Sequence, residues 1–259
     1  PLSNTVMTAP APLTNTYPSL AGRTVFITGG ATGIGAELVS AFAAQKAKVS
    51  FVDLQKDAGK SLADTTGASF FECDLRDTGK LADIMAKVGE ANGPISVLVN
   101  NAADDTRHDF REVTEAYWDD RIAVNLRHAF FAIKAAHSQM LEAGGGSIVN
   151  FGSMSWYECQ GGMTGYTTSK AAIEGMTRGL ARDLGADNIR INTLVPGWVM
   201  TPKQKEMWVG EEVKREIVRG QSLKSELLPQ DICAMALFLA SDDARMCTAQ
   251  SFIVDGGWI

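Results

Sequence analysis

Apolar residues fall into two alternating rhythms along the chain. Short runs rich in β-branched residues at 24–28, 47–52, 68–73, 95–99, 147–151, 189–195 and 251–254 predict seven strands. Several are continuously apolar, as in strands buried on both faces of a sheet. Between them the spacing changes to three and four: Ile34, Leu38, Val39 and Phe42 mark a helix over 33–45, and Leu81, Ile84, Met85 and Val88 mark another over 77–92. Further helices are expected at 56–63, 118–141, 165–184 and 229–240.

Strands that alternate with helices need crossovers covering both sheet faces. The pattern therefore predicts a single-domain α/β, doubly wound Rossmann fold, a seven-stranded parallel sheet with helices on both faces. Ligands in such sheets lie beyond the carboxyl ends of the strands, where Gly29, Asp53, Asp74, Asn100, Ser153 and Pro196 fall. Residues 1–20 are expected to form a flexible arm, with Met7 the expected natural start, and residues 21–259 the catalytic domain. Within it, 201–227 is rich in Lys, Glu and Gln and is expected to act as a lid.

Composition narrows the partners. A net charge of -6 without a lysine/arginine cluster argues against nucleic acid and against anionic membrane surfaces. No apolar run approaches the ~18 residues of a membrane span. The four cysteines lie far apart, the three histidines show no ligand spacing, and no metal is expected. The first twenty residues lack a charged segment followed by an apolar core, so a cytoplasmic location is expected.

Two motifs carry chemistry. In Thr28-Gly29-Gly30-Ala31-Thr32-Gly33-Ile34-Gly35, glycines at 29, 33 and 35 let backbone approach a phosphate and aim helix N-terminal N–H groups at it. The spacing departs from the general G-x-G-x-x-G fingerprint, and a simple tight turn is the plainer alternative. Asp53 ends the second strand, where a carboxylate would accept hydrogen bonds from ribose hydroxyls and repel a 2′-phosphate. No arginine occurs at 31, 32, 54 or 55, and Lys56 is the one nearby cation, so NAD is expected over NADP. A helix N-cap is the plainer role for Asp53.

Tyr166 and Lys170, four apart on a predicted helix, share a face. A phenol with a pKa of about 10 is a poor base at neutral pH. A nearby ammonium and a positive nicotinamide ring would lower it by two or three units, roughly 3–4 kcal/mol. A lone Y-x-x-x-K arises often by chance and usually marks a solvated helix face.

Together with Asp74-Leu75, Asn100-Asn101-Ala102, Asn125, Ser153, Pro196-Gly197 and Thr201, these motifs resemble the short-chain dehydrogenase/reductase family from about residue 20 to 258. The resemblance implies a cofactor site of Gly29, Thr32, Gly33, Ile34, Gly35, Asp53, Leu54, Asp74, Leu75, Asn101, Ala102, Tyr166, Lys170, Pro196, Gly197, Val199 and Thr201. It also implies Tyr166 as general base, Ser153 hydrogen-bonding the reacting oxygen, Lys170 on the nicotinamide ribose, and Asn125 placing a water that links the lysine to solvent. Ala103 departs from the family's usual glycine.

For the substrate, Ser153, Ser155, Trp156, Glu158, Tyr166, Trp198 and Met200 flank the expected reacting carbon. An aromatic plane with polar groups suits a sugar ring, although either tryptophan could belong to the core. Stretches such as 100–108, 117–122, 125–128, 151–156 and 255–258 resemble bacterial sugar dehydrogenases of the D-xylose 1-dehydrogenase type, which oxidise an aldose to the aldonolactone with NAD. Two alternatives stand beside this: oxidation of a sugar acid whose carboxylate meets Arg107, His108 or Lys203, and an NAD-binding sensor without chemistry. The family further implies a homotetramer, and Ala171, Ala172, Gly175 and Gly179 offer a small-residue helix face for it, or for this chain's own sheet.

Overall fold

The computed structural model describes residues 13–207 and 210–259. Seven strands, β1 (Thr24–Thr28), β2 (Lys48–Asp53), β3 (Ser69–Glu72), β4 (Ile95–Asn100), β5 (Gly146–Phe151), β6 (Ile189–Pro196) and β7 (Ser251–Val254), form one sheet in the order β3-β2-β1-β4-β5-β6-β7. Every neighbouring pair is parallel. The helices are α1 (Gly33–Ala44), α2 (Lys56–Thr66), α3 (Thr78–Asn92), α4 (Glu115–Ile122), α5 (His128–Glu142), α6 (Thr164–Gly185), α7 (Pro202–Met207), α8 (Glu211–Gly220) and α9 (Pro229–Ala240).

The pleat divides the apolar strand residues between two cores. Val25 and Ile27 of β1 point into one, with Val97 and Val99 of β4, under Leu38 and Phe42 of α1 and Ile232 and Leu237 of α9. Phe26 and Leu98 point into the other, against Leu81 and Met85 of α3, Met140 of α5 and Leu184 of α6. Both faces of the central strands are thus dry, which is why their sequence is apolar without alternation. The chain starts at β1, builds outward to β3, then returns to pair β4 with β1, so a crevice opens between the β1 and β4 carboxyl ends. Register aligns those ends: Thr28 faces Asn100, and Asn100 faces Asn150.

Two expectations are corrected, and one open alternative is narrowed. Residues 13–20 are no loose arm: Leu13 and Tyr17 pack on the first core, Leu20 is fully buried, and the Tyr17 amide donates to Gln45 Oε1 at 2.8 Å. Residues 1–12, with Met7, lie outside the described residues. The helix expected over 118–141 begins at α4 and carries a π-helical turn, Ala123–Arg127, before α5. Such a turn inserts one residue into the α ladder, and hydrophobic spacing does not report it. Finally, Gly175 and Gly179 of α6 face open space rather than this chain's sheet.

Among the described residues no helix is long and apolar enough to cross a membrane, and no group of three His, Cys, Asp or Glu is placed to hold a metal ion.

Candidate active site

The strand carboxyl ends open onto a groove of about 970 Å³. Its middle is a backbone cradle. After β1 the chain turns at Gly29, whose left-handed φ of 69° and contact with Ala102 leave no room for a side chain. Asn101 Nδ2 donates to the Gly29 carbonyl at 2.9 Å and to that of Thr28 at 3.2 Å, fixing the turn from β4. Gly33, Ile34 and Gly35 then open α1, with Thr32 beside them, so the first amides of this helix face the groove.

Asp53 lines the groove and braces the cradle: Oδ2 accepts from the Ala31 amide and Oδ1 from the Gln55 amide, each at 3.0 Å. Each oxygen keeps a lone pair for a ligand hydroxyl. Leu54, Asp74 and Leu75 line the same end. So does Arg76, which the sequence reading did not assign, but its guanidinium is held between Asp74 at 3.1 Å and Asp120 at 2.5 Å.

At the other end stand Ser153, Ser155, Tyr166 and Lys170, with Ala102, Pro196, Gly197, Val199 and Thr201 closing the wall between the ends. Tyr166 lies in the first turn of α6 and Lys170 one turn later, with the ammonium 5.6 Å from the phenol ring centre. The Lys170 side chain is buried and donates to the Phe151 carbonyl at 2.8 Å. Ser153 Oγ accepts the Ser155 amide at 3.1 Å and donates to Ser155 Oγ at 3.0 Å.

The electrostatics correct the sequence reading. Enclosure, helped by repulsion from Asp105, pushes the Tyr166 hydroxyl up to about 12, outweighing the pull of its hydrogen bond with Ser153 and the attraction of Arg107. Burial also pushes Lys170 down to about 8, with Asp105 opposing. Burial, more than any charge, therefore holds the phenol protonated in the protein by itself. Helical spacing predicts a shared face but cannot report that desolvation exceeds the charge effect.

Asn125, in the π-helical turn, lies behind the groove, 1% exposed. Its Oδ1 accepts the Asp104 amide at 2.7 Å and its Nδ2 donates to the Asp104 carbonyl at 3.1 Å. Both ends of the side-chain amide thus clamp the loop after β4.

His128, at the start of α5, is buried beside this turn and makes no well-formed hydrogen bond among the described residues. Burial and the Lys170 charge push it down to about 4, against the weaker pull of the Val124 and Ala123 carbonyls. Unfolded, the ring takes its proton near pH 6.5. Between about 6.5 and 4 the unfolded state binds more protons, so this residue's contribution is full above 6.5 and is lost as pH falls, up to about 3 kcal/mol. His128→Leu should flatten the acid limb of stability, read as denaturant midpoints at several pH values; an unchanged slope would refute this.

Of the residues expected at the substrate, Trp198 lines the groove and stacks on Trp258 with centroids 6.5 Å apart. Three do not line it. Trp156 is drawn outward by Glu174, which accepts from its Nε1 at 3.1 Å. Glu158 sits behind Trp198, Oε2 3.5 Å from the indole nitrogen. Met200 is buried with Ile217 beneath Trp198 and Trp258. Lining residues the sequence reading did not assign to the site include Asp104, Asp105, Met163, Gln204 and Glu206. Most lie in the loops after β4, β5 and β6, and that position is the signal that could have found them. Arg107 also lines the groove, whereas His108 does not, and the Lys203 side chain lies outside the described residues.

The arrangement can hold an extended anionic ligand across its cradle and present a hydroxyl pair and an amine at the far end. Residues 29–259 match the enoyl-(acyl carrier protein) reductase family. The chain is 45% identical over 247 residues to a D-xylose 1-dehydrogenase of Caulobacter vibrioides, covering 93% of this chain and 98% of that protein. It is 41% identical over 247 residues to a probable galactose dehydrogenase of Rhizobium meliloti, covering 93% and 96%. A solved short chain dehydrogenase/reductase family protein, 32% identical, superposes with a TM-score of 0.83 over 92% of this chain and 98% of the other.

Proposed function

Because the chain belongs to the short-chain dehydrogenase/reductase family, oxidoreductases acting on CH–OH groups, we propose that it oxidises the anomeric C1 hydroxyl of a pentose or related aldose to the aldonolactone with NAD. One observation carries the reading: a single groove joins the glycine cradle and Asp53 to Ser153, Tyr166 and Lys170. The aldose follows from the two sugar-dehydrogenase relatives.

The residues fit a dinucleotide. Gly33, Ile34 and Gly35 line the groove where α1 begins, so a pyrophosphate could lie against the α1 amides. Asp53 would take the adenosine ribose hydroxyls, Asp74 and Leu75 the adenine, Lys170 the nicotinamide ribose, and Val199 and Thr201 the carboxamide and phosphates. When bound, the oxidised nicotinamide supplies a hydride-accepting carbon and a positive charge that favours phenolate at Tyr166. Tyr166 removes the proton from the substrate hydroxyl, and Ser153, oriented by Ser155, hydrogen-bonds the same oxygen. Trp198 offers an indole to the apolar face of the ring. Residues 201–227 act as a lid, pinned at its base where the Met200 amide donates to the Leu227 carbonyl at 2.8 Å. The enzyme is cytoplasmic and works as a homotetramer, for which Gly175 and Gly179 offer close helix approach; sedimentation velocity reads the assembly directly.

A sugar-acid substrate is disfavoured by the groove's charge. Arg107 and Lys170 line its substrate end, but so do Asp104, Asp105 and Glu206. NADH formation across a panel of aldoses, sugar acids and secondary alcohols, with NAD and with NADP, is the test. Aldoses with NAD should give the highest kcat/KM; faster turnover of acids, or equal efficiency with NADP, would overturn the reading.

A further inference from the structure

Asp105 has no part in the chemistry just described, yet it lines the same groove as Ser153 and Tyr166. The loop that carries it is held on two sides. Asn125 clamps both main-chain polar groups of Asp104, and the Asp104 carboxylate meets the buried Arg121 at 2.7 Å. Asp105 itself is tethered from the opposite wall, its Oδ2 accepting from Gln204 Nε2 of α7 at 3.1 Å. The fold thus fixes a carboxylate between the loop after β4 and the lid, residues 99 positions apart in the chain.

Its charge acts against the proposed base. Asp105 raises the pKa of Tyr166 and of Lys170 alike, so it stands close enough to oppose phenolate formation. A negative group that works against proton removal calls for a compensating use. A carboxylate accepts hydrogen bonds and donates none, so a neutral ligand rich in hydroxyls suits it and an anionic ligand does not.

We propose that Asp105 is a specificity-determining residue that accepts a hydrogen bond from a substrate hydroxyl other than the one oxidised, so that the site selects neutral polyols. The proposal rests on the reading above only in that an alcohol is oxidised at Tyr166. Asp105 reads the substrate, and Gln204 keeps the reading group in register with the lid.

Asp105→Asn keeps the size and can still accept from Gln204, but weakens the acceptor by removing its charge. It should lower kcat/KM for the best polyol about 10- to 100-fold, mainly through KM. Single-deoxy analogues of that polyol locate the partner: deleting one hydroxyl should cost the wild type a similar factor and the variant little. Gln204→Ala, which removes the Gln204 contact and keeps the carboxylate, should raise the same KM by a smaller factor. NADH affinity, followed by fluorescence, should be unchanged in both and shows that each variant is folded. The proposal fails if Asp105→Asn leaves kcat/KM within twofold of wild type, or if it loses the same factor on every deoxy analogue. Should the wild type oxidise some other polyol and no aldose, the proposed function falls while the analogue series, run on that polyol, still decides the role of Asp105.

Discussion

Replacing Tyr166 with phenylalanine should lower turnover about 10²–10⁴-fold while NADH binding stays within a few-fold of wild type. The substitution removes one oxygen and leaves the ring in the first turn of α6, above the buried Lys170 that donates to the Phe151 carbonyl. Nothing in the glycine cradle or beside Asp53 touches this oxygen, so the cofactor end should persist. The hydroxyl is enclosed and its pKa stands at about 12 in the protein by itself. Removing it costs a hydrogen bond with Ser153, and a change in Tm of a few degrees at most is expected. A turnover within tenfold of wild type in Tyr166→Phe would show that another group takes the proton. Ser153→Ala should be slower than wild type but faster than Tyr166→Phe, since it removes a hydrogen bond to the reacting oxygen and leaves the base.

Gly35→Ala should abolish cofactor binding and destabilise the fold by about 3 kcal/mol, lowering Tm by about 5–10 °C. A Cβ there would lie 1.8 Å from the Gly29 carbonyl oxygen and 2.8 Å from Asn101 Nδ2. Neither neighbour can retreat cheaply. The Gly29 carbonyl accepts from Asn101, and the Gly29 amide donates to the Val52 carbonyl at 2.8 Å, tying the turn to β4 and β2. The start of α1 must therefore move away from the turn, which opens the cradle that aims its amides at the groove. Gly79→Ala in α3 is the matched control, because its Cβ would meet Asp77 Oδ1 at an ordinary 3.4 Å. Calorimetry and NADH fluorescence on both variants check this. Retained binding in Gly35→Ala would place the diphosphate elsewhere.

Much of the site is legible in residue order because its parts are local. The cradle is a run of glycines at a strand–helix junction, Asp53 is the last residue of a strand, and Tyr166 and Lys170 are one helical turn apart. All the residues expected to touch the cofactor line one groove. The substrate end was read less well. Trp156 sits three residues after Ser153, yet Glu174, held in turn by Tyr157 and Ser251, pulls it to the outside. Asn125 clamps Asp104 with both ends of its side-chain amide, because a π-helical turn that apolar spacing does not reveal sets where it points.

The order of strands and helices, their alternation and the placing of functional residues at strand ends follow from the chain itself, since each depends on spacing over a few residues. Three matters belong to the tertiary structure alone: the protonation of Tyr166, the outward turn of Trp156, and the bridge between Asp105 and Gln204. Desolvation sums over every group packed around an atom, and contacts between residues tens of positions apart exist only once the sheet has brought the loops together. Neither leaves a trace in local periodicity.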